Sequence, residues 1–495
     1  MSELEDLMDD RPEPDPVNLR KPLSEYLPSD WGRAELLRDR HNEEMFWVTD
    51  GKTGEWRIYD NEGWRKDEDG LVDRWAKEAV QELIEDAEKR LSKAREAGDE
   101  NALKEAQRAR TYAYSCTNRA KIRAMLETAR TVDKGRTVPR SKFDADPTLL
   151  GTENGTLGLL KGGALFGPSA RTDFISRRTG TPYRYGAQSK MWDRYRETFL
   201  PDKEMEHFLQ RLAGYGMVGG NPDGLWVILH GGPNSGKSTF LNMIGAALGD
   251  YASGMNLSSL RGKFDAGPRE DVAAILPARF ALASELSEVR ELHADQIKMF
   301  TGSDPISFER KFGAQETLLP QFLPMVATNT MPRVRGADQA LASRICVVPF
   351  SHSVPRKTRV GSDMAEDPDA LAAFLAWMVE GWDWYCAYGL GRETWPESVL
   401  AAGAEYEATM TEVAAFIAEA CEVGPDLYEL AAATGPLFQA YTKWCENGNS
   451  RGMTHGEFSG ELTNLGYERG QKWENGKNNK IRRGLALRKE WLRLA

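Results

Sequence analysis

A glycine-rich stretch in the middle of the chain has the residue types and spacing that bind phosphate. It fits the pattern G-x-x-x-x-G-K-[ST], in which backbone N–H groups surround a phosphate chain. Lys237 would reach the β- and γ-phosphates, and the hydroxyl of Ser238 would hold Mg²⁺. The stretch therefore predicts a nucleoside triphosphate site. Its residues are Gly231, Gly232, Pro233, Asn234, Ser235, Gly236, Lys237, Ser238 and Thr239.

The flanking residues predict the strand and the helix that such a loop needs. Residues 225–229 form a short apolar run, typical of a buried strand. Apolar residues then recur at helical spacing from Phe240 to Leu248, and Gly249-Asp250 ends the helix. The alternative is a chance glycine loop on a surface turn. Because strand, loop and helix follow one another in register, the phosphate-binding interpretation is favoured.

An acidic residue that ends a second short strand is the candidate for activating water. Residues 279–285 form this strand, and walker-type ATPases keep a carboxylate in such a place, beside the P-loop strand, for Mg²⁺ or the attacking water. Glu285 is the candidate general base. Because Ser284 stands where many ATPases have an aspartate, Glu285 would also serve as metal ligand. Glu288 is the alternative carboxylate.

Two further strands end or begin with polar residues suited to a γ-phosphate. Residues 322–329 predict a strand that ends in Asn329, which could touch the phosphate or position water, or could simply be a turn residue. Arg344 begins a fourth strand and could stabilise transition-state charge in a neighbouring subunit. A surface salt bridge is the alternative for Arg344, and the residues alone favour it.

Two basic segments are candidates for contact with nucleic acid. Arg310, Lys311 and Phe312 place two cations beside an aromatic ring near a turn at Gly313, which suits a hairpin that grips a strand, although any solvated hairpin tip could look the same. Residues 470–495 carry eight lysines and arginines against two glutamates. This net charge of +6 favours duplex DNA binding over a solvated tail. Its candidate contact residues are Lys477, Lys480, Arg482 and Arg483.

The bulk properties describe a globular protein of about three domains. The chain has 495 residues, 41% of them apolar, and a net charge of −11, so a nucleic-acid partner would need local basic patches. Five scattered cysteines indicate a reducing compartment and argue against a zinc site. No stretch approaches the length of a membrane span, so we expect a cytoplasmic protein in a bacterial host cell, with no membrane partner.

Patterns outside the P-loop region predict the flanking parts of the fold. Apolar runs at 45–48 and 56–59 predict a hairpin, and two long helices are expected to follow, the second over 101–130. The pair Asp144 and Asp146 could suggest a two-metal site, but it sits in a loop before a proline, so we interpret it as structural. Helices over residues 413–465 followed by a hairpin turn at 473–477 suggest a winged helix.

The order and spacing of these motifs resemble those of a superfamily 3 helicase. Within that group the chain is similar to the phage and plasmid primase-helicase family, which is related to the poxvirus replicative NTPase. The resemblance rests on the P-loop, on the segments at 279–285, 298–312 and 327–332, and on Ser343-Arg344-Ile345. It extends from about residue 40 through most of the chain. Because only about forty residues precede it, too few for a primase domain, the resemblance implies the helicase half alone.

The resemblance implies roles for individual residues. Lys237 and Ser238 would bind phosphate and Mg²⁺, and Glu285 would serve the Walker B function. Asn329 would be the sensor, Arg344 the trans finger, and Arg310, Lys311 and Phe312 the DNA-gripping hairpin, with Lys298 in the motif before it. Ser343 departs from the family, which often has a second arginine there, so Arg333 and Arg335 are alternatives for the finger.

The expected fold is α/β: an AAA+-like P-loop ATPase core with an N-terminal, mostly helical domain and a C-terminal winged-helix domain. The predicted boundaries are a disordered acidic tail at 1–20, the helical domain at 21–200, the ATPase at 201–392 and the winged helix at 405–495. The expected function is that of an ATP-dependent replicative DNA helicase, a hexameric ring tracking 3′ to 5′. Its partners would be ATP, Mg²⁺, single-stranded and forked DNA, and a separate primase or polymerase. The alternative is a nucleotide-switched initiator that binds origin DNA without processive unwinding.

Overall fold

A computed structural model describes most of the chain. The described residues are 21–49, 53–132, 137–256, 269–284, 291–309, 315–335, 339–355, 360–361, 363–424, 430–447, 452–474 and 477–492. Only the backbone is described at residues 270, 291, 309, 315, 316, 335, 339, 474 and 477. The chain divides into a first unit, residues 1–158 and 165–178, and a second unit, residues 159–164 and 179–495.

The first unit combines helices with two small sheets. Its helices are α1 (Asp30–Arg40), α2 (Leu71–Ala97), α3 (Glu100–Ser115) and α4 (Arg119–Ala129). The strands, the last two of which also enter the second unit, are β1 (Met45–Thr49), β2 (Gly54–Tyr59), β3 (Trp64–Lys66), β4 (Thr137–Pro139), β5 (Leu149–Thr152), β6 (Gly155–Leu160) and β7 (Gly163–Gly167). The predicted first hairpin is present, since β1 and β2 pair antiparallel in the order β3-β2-β1-β4.

Local capping sets the ends of the long helices. Gly98, with φ of 68°, ends α2, and the Asp99 side chain accepts from the first amides of α3. The prediction of one helix over 101–130 was wrong. The chain leaves the helix after Ser115, and the Asn118 side chain accepts from Ala120 N to start α4. Asparagine favours a cap over a helix interior because its side chain bonds to nearby backbone amides.

The second unit contains the predicted P-loop region and the C-terminal region. Its helices are α5 (Lys190–Phe199), α6 (Lys203–Met217), α7 (Lys237–Leu248), α8 (Glu270–Ile275), α9 (Ala294–Thr301), α10 (Gln339–Ala342), α11 (Pro368–Tyr388), α12 (Glu397–Thr409), α13 (Glu412–Ala420), α14 (Thr434–Asn447), α15 (His455–Asn464) and α16 (Lys489–Leu492). Its strands are β8 (Trp226–His230), β9 (Ala252–Gly254), β10 (Phe280–Ser284), β11 (Glu291–His293), β12 (Ile306–Glu309), β13 (Gln315–Leu318), β14 (Leu323–Thr328), β15 (Arg333–Arg335), β16 (Ile345–Pro349), β17 (Cys421–Val423), β18 (Ala431–Ala433), β19 (Arg469–Glu474), β20 (Lys477–Arg483) and β21 (Leu485–Leu487).

A parallel sheet of order β16-β8-β14-β10-β9 forms the centre of the second unit. All six residues of β14 are buried, as expected for a strand covered on both faces. The expectation that β10 lies beside the P-loop strand was wrong, because β14 comes between β8 and β10. Parallel neighbours need long crossovers, so strand order cannot be read from chain order.

The C-terminal region has its own apolar core. Phe416, Tyr441 and Phe458 contact one another there, which brings α13, α14 and α15 together. Strands β18, β20 and β19 form an antiparallel sheet beside these helices, and the register of the hairpin β19–β20 runs from Arg469↔Arg482 to Glu474↔Lys477. The chain is thus a mixed α/β protein with a largely helical N-terminal part. None of the helices in the described ranges is long and apolar enough to cross a membrane.

Candidate nucleotide-binding site

The glycine-rich stretch joins the central strand β8 directly to the helix α7. The residues of β8 are buried except for the half-buried His230, and α7 begins at Lys237. The loop between them, residues 231–236, therefore lies at the carboxyl end of the sheet, where ligands bind in open α/β folds. The first amides of α7 have no partner within the helix and favour a negative charge. The local fold thus contains the two parts that the phosphate-binding prediction requires, a glycine loop and a helix N-terminus.

Two glycines of this loop stand where a side chain would collide with its surroundings. A Cβ on Gly231 would lie 2.2 Å from the carbonyl oxygen of Phe350. Gly236 has a φ of 90°, and a Cβ there would lie 2.8 Å from the ring of Phe199. At Gly232 no atom lies within 4 Å of such a Cβ, so space remains beside the backbone. The backbone is thus closely packed at Gly231 and Gly236 and has free space at Gly232. This arrangement fits a bound phosphate chain.

Lys237 is held inside this loop. Its side chain is buried, and Nζ donates to the carbonyl oxygens of Gly231 and Gly232, each at 2.8 Å, and to Ser235 Oγ at 2.9 Å. Burial lowers the pKa of the Lys237 amine. Ser238 follows it on the first turn of α7 and is exposed, whereas Thr239 is half-buried. The ammonium group and the Ser238 hydroxyl thus occupy the positions that the P-loop pattern assigns to phosphate and Mg²⁺ contacts.

An aromatic helix outside the motif supports the loop. The hydroxyl of Tyr195 on α5 donates to the carbonyl oxygen of Gly236 at 3.0 Å, and Phe199, one turn later, packs against the same glycine. Both aromatic side chains are buried. Sequence reasoning missed this support. The only signal was an aromatic pair four residues apart on a helix, which does not reveal a contact some forty residues away.

One more predicted residue, Asn329, lies near the P-loop, where the carboxyl ends of neighbouring strands meet. Thr328 pairs with His230, so Asn329 follows β14 beside the start of the P-loop and is exposed there. Strand β10 ends at the same edge, because Ser284 pairs with Ala327. The structure thus brings Lys237, Ser238 and Asn329 to one edge of the sheet. Glu285 and Glu288 lie outside the described residues.

Arg344 lies at the amino ends of the strands of the same sheet, opposite the P-loop. It precedes β16, and its carbonyl oxygen accepts from the amide of Trp226, the first residue of β8. The five residues of β8 lie between this hydrogen bond and Gly231, which is a distance of roughly 17 Å at about 3.3 Å per residue. Its Nη1 donates to Thr301 Oγ1 at 3.0 Å and to the carbonyl oxygen of Lys298 at 3.4 Å. Arg344 is therefore not brought to the P-loop of its own chain.

The alternative arginines and the predicted DNA hairpin are described only in part. Arg333 contacts Glu412 at 3.5 Å and lies over the ring of Trp444. For Arg335 only the backbone is described. Strands β12 and β13 pair as the predicted hairpin, but its tip, with Arg310, Lys311 and Phe312, lies outside the described residues. Lys298 lies on α9, half-buried, before this hairpin.

One of the predicted DNA contacts in the C-terminal hairpin needs correction. Arg482 is only 1% exposed, and its guanidinium donates to Thr463 Oγ1, to the carbonyl oxygen of Tyr467, and to both the carbonyl and the hydroxyl oxygen of Ser459. The four donors on the two Nη atoms of this guanidinium are thus engaged within the chain, and burial keeps the group away from a phosphate. Lys480 is exposed and Arg483 half-buried, while only the backbone of Lys477 is described.

The first unit contains the aspartate pair that we interpret as structural. Asp144 accepts from the amide and the hydroxyl of Ser176, at 2.7 and 2.6 Å. Asp146 accepts from the amide and the hydroxyl of Thr148. Asp146 thus stabilises a local turn, whereas Asp144 joins its loop to a segment 32 residues further along the chain. Both carboxylates make structural contacts, as the loop interpretation predicts.

Comparisons with protein families give two matches. Residues 34–201 match the family D5 N terminal like, and residues 229–344 match a family of unknown function, DUF5906. The first match covers the helical N-terminal part, and the second begins in β8 and ends at Arg344. The chain therefore carries a D5-like segment ahead of the segment that contains the P-loop.

Curated viral proteins are similar to parts of the chain. Putative helicase 022R of Frog virus 3 (isolate Goorha) is 30% identical over 204 residues, 38% of this chain and 21% of that protein. Putative helicase L207/L206 of Acanthamoeba polyphaga mimivirus is 26% identical over 216 residues, 42% of this chain and 22% of that protein. The similar regions thus span about a fifth of these relatives. Both relatives are named as putative helicases.

Among solved structures, the apo structure of the NrS-1 C terminal region (305-718) aligns with 91% of this chain and 98% of that chain. The TM-score is 0.43 and the sequence identity is 10%.

Proposed function

We propose that the chain is an ATP-dependent replicative DNA helicase. The observation that carries this proposal is the buried Lys237, whose ammonium group is held in a glycine loop at the carboxyl end of the central strand. A lysine at the mouth of an open cleft could serve many purposes. A lysine buried between a strand and a helix N-terminus has a narrow use, which is to meet phosphate charge. The similarity to viral helicases supports the same function.

In this proposal the loop residues bind and orient the triphosphate. The backbone N–H groups of residues 232 and 234–238 and the Lys237 ammonium group would hold the phosphates. Ser238 would ligate Mg²⁺, and Asn329 would contact the γ-phosphate or the attacking water. Bound Mg²⁺ would supply charge neutralisation between the β- and γ-phosphate oxygens. Glu285, directly after β10, would accept the proton of the water. The sheet favours these roles because β8, β14 and β10 end at one edge.

The position of Arg344 supports an assembly of several subunits. An arginine finger must reach the γ-phosphate, yet Arg344 stands at the sheet edge opposite its own P-loop. It could reach only the site of a neighbouring chain, which requires a head-to-tail contact. We therefore propose a ring, with six subunits as the family resemblance implies, an AAA+-like core of superfamily 3 type, and a winged-helix C-terminal domain. Tracking from 3′ to 5′ and an origin in a phage or mobile element also belong to this proposal.

The test measures ATP hydrolysis with and without single-stranded DNA, alongside the mass in solution by light scattering. We expect single-stranded DNA to stimulate ATP turnover, and we expect a particle mass near that of six subunits. This result would justify a fork-unwinding assay. In that assay Lys237→Ala and Glu285→Gln should abolish unwinding, while Lys311→Ala should leave turnover but lose strand separation. Slow, unstimulated turnover in a monomer would contradict the proposal and favour a nucleotide-switched initiator.

A further inference from the structure

The hairpin β19–β20 carries an exposed tryptophan. The side chain of Trp473 is 73% exposed, the largest exposure of any tryptophan among the described residues. The neighbouring hairpin residues Gln471, Lys472 and Asn478 are exposed as well. Because side chains on both faces are exposed at these positions, the described residues of the chain do not cover this part of the two strands. A large apolar ring is thus presented to solvent on a pair of strands.

Cross-strand pairing identifies the side chains that share a face with this ring. Trp473 pairs with Asn478, and two residues further along Gln471 pairs with Lys480. The amide of Asn478 donates to Gln471 Oε1 at 2.8 Å, diagonally across the same face. This bond joins two polar side chains that share a face with the indole. The ring therefore lies on an ordered polar surface rather than in an apolar patch.

The same face carries positive charge, and the end of the hairpin farther from the turn is bonded to α15. Lys480 and Arg469 are both exposed on it, and Arg482, which pairs with Arg469, is buried on it against α15. The buried guanidinium joins β20 to Ser459 and Thr463, so one end of the hairpin is fixed to the helical core. The face thus presents an aromatic ring and two cations on a fixed support.

We infer that Trp473 is a stacking platform for an unpaired DNA base, with Lys480 and Arg469 contacting the flanking phosphates. Aromatic rings beside cations are the usual means of holding single strands, because every base has a π-face. A protein partner would need about 800 Å² on this side, far more than one indole offers. Bases inside a duplex are already stacked, so the free face of the ring selects unpaired ones. The choice of DNA as the nucleic acid rests on the proposed function.

The test measures the affinity of the full-length protein for a short labelled oligothymidylate by fluorescence anisotropy. Trp473→Ala should weaken binding roughly 5- to 150-fold, the range reported for loss of one stacked base. Trp473→Phe should restore most of the affinity, and Trp473→Leu should not, because leucine is apolar but has no π-face. Trp31→Ala, at an exposed tryptophan of the first unit, is the matched control and should bind as the unaltered protein does.

Photocrosslinking locates the contact independently of affinity. An oligonucleotide that carries 5-iodouracil should crosslink to a peptide containing Trp473. Crosslinks that map only elsewhere, together with an unchanged affinity of Trp473→Ala, would overturn the inference. Equal weakening for a blunt duplex and for a single strand would also overturn it, because stacking on a free base would then not be the cause. A change of mass on light scattering for Trp473→Ala would instead assign the ring to contact between copies of the chain.

Hydrolysis by the unaltered protein separates this inference from the proposed function. If ATP is not hydrolysed but binding still depends on an aromatic ring at position 473, the helicase proposal fails and the platform stands. If DNA stimulates hydrolysis while Trp473→Ala binds DNA normally, the helicase proposal stands and the stacking platform fails.

Discussion

At the scale of single residues, Lys237 is held away from solvent. Its ammonium group is buried and bonded to carbonyl oxygens, and burial lowers its pKa. A buried cation without a counter-charge costs free energy, whereas an apolar side chain of similar length does not. Functional residues commonly destabilise the fold that carries them. For a substitution that removes the charge, this reasoning predicts a large loss of activity without a large loss of stability.

We therefore expect Lys237→Met to lose ATP hydrolysis on the order of 10²–10³-fold, as for other groups that stabilise transition-state charge. The free energy of unfolding should not fall by more than about 1 kcal/mol, since the buried charge is gone. A phosphate-release assay and urea unfolding measure the two quantities. Lys77→Ala, at an exposed lysine on α2, is the control and should keep its hydrolysis rate. Retained hydrolysis in Lys237→Met would contradict the assigned role.

The lowered pKa of His230, the last residue of the P-loop strand, leads us to expect that stability depends on pH. Burial lowers the pKa of its imidazole, the charge of Lys237 lowers it further, and the backbone of Asn329 and the charge of Glu405 oppose the shift. The unfolded chain, with a pKa of about 6.5, then binds a proton more readily than the folded one. The contribution of His230 to stability is present above about pH 6.5 and is lost as the pH falls below it.

The thermal midpoint should accordingly fall between about pH 7.5 and pH 5.5, and should fall less in His230→Asn. Scanning fluorimetry across this range measures the difference. His352→Asn, at an exposed histidine, is the control and should follow the unaltered protein. Parallel curves for His230→Asn and the unaltered protein would contradict the assignment.

The residue scale also shows what a sequence can and cannot reveal about a site. The spacing of Gly231, Gly236 and Lys237 fixes a local conformation, so the loop could be predicted from the motif alone. The cations of the C-terminal run were indistinguishable in the sequence. Only tertiary packing separates Arg482, buried against α15, from the exposed Lys480. Burial of one member of a charge run depends on contacts with Ser459 and Thr463, some twenty residues away, which no local pattern encodes.

At the scale of elements, the junction between β8 and α7 depends on backbone conformation. Gly236 has a φ of 90°, and Phe199 fills the space that a Cβ would need, whereas Gly232 in the same loop has open space. We expect Gly236→Ala to lower the free energy of unfolding by about 1–3 kcal/mol. Gly232→Ala should change it by less than about 0.5 kcal/mol. Urea unfolding of both variants tests the comparison, and equal losses would show that the φ and the packing at Gly236 do not matter.

A second element-scale contact joins α9 to the start of β8 and β16. Thr301 Oγ1 donates to the carbonyl oxygen of Ile297 at 2.7 Å, so its lone pairs face the Arg344 guanidinium at 3.0 Å. Helix α9 leads into the hairpin β12–β13, the predicted DNA contact. Arg344 is therefore bonded, in this chain, to the element that precedes that hairpin.

Thr301→Val removes the acceptor with little change in shape and should lower the free energy of unfolding by about 1–3 kcal/mol. Thr301→Ser keeps the hydroxyl and should restore most of that loss. Denaturant unfolding of the pair decides the point. If serine and valine are equally destabilising, the lost methyl or the altered packing, rather than the hydrogen bond, would be responsible.

Element order was harder to predict than element type. The apolar runs predicted β8, β10, β14 and β16 as strands, and each is one. Their order in the sheet depends on crossovers of tens of residues, which is why β14 between β8 and β10 was not foreseen. The break after Ser115 was missed for a different reason. The sequence on either side has good helix formers, and only Asn118, which caps the start of α4, marks the break.

At the scale of the whole molecule, the residues proposed for hydrolysis lie at two opposite ends of the sheet's strands. Lys237 and Asn329 lie at its carboxyl edge and Arg344 at the other. If Arg344 is a finger, each complete site needs the P-loop of one chain and the arginine of the next. Lys237→Ala and Arg344→Ala would then each be inactive, yet each would keep the half-site that the other lacks.

Mixing the two variants in equal amounts, after dissociation and reassembly, should restore hydrolysis. With random assembly, about a quarter of the interfaces would pair an intact P-loop with an intact arginine, so about a quarter of the unaltered rate is expected. A mixture of Lys237→Ala with the double variant Lys237→Ala/Arg344→Ala is the control and must stay inactive, because every P-loop in it lacks the lysine. No recovery in the first mixture would show that Arg344 is not a trans finger and that its bond to Thr301 is its role. Recovery would make the site a property of the assembly rather than of one chain.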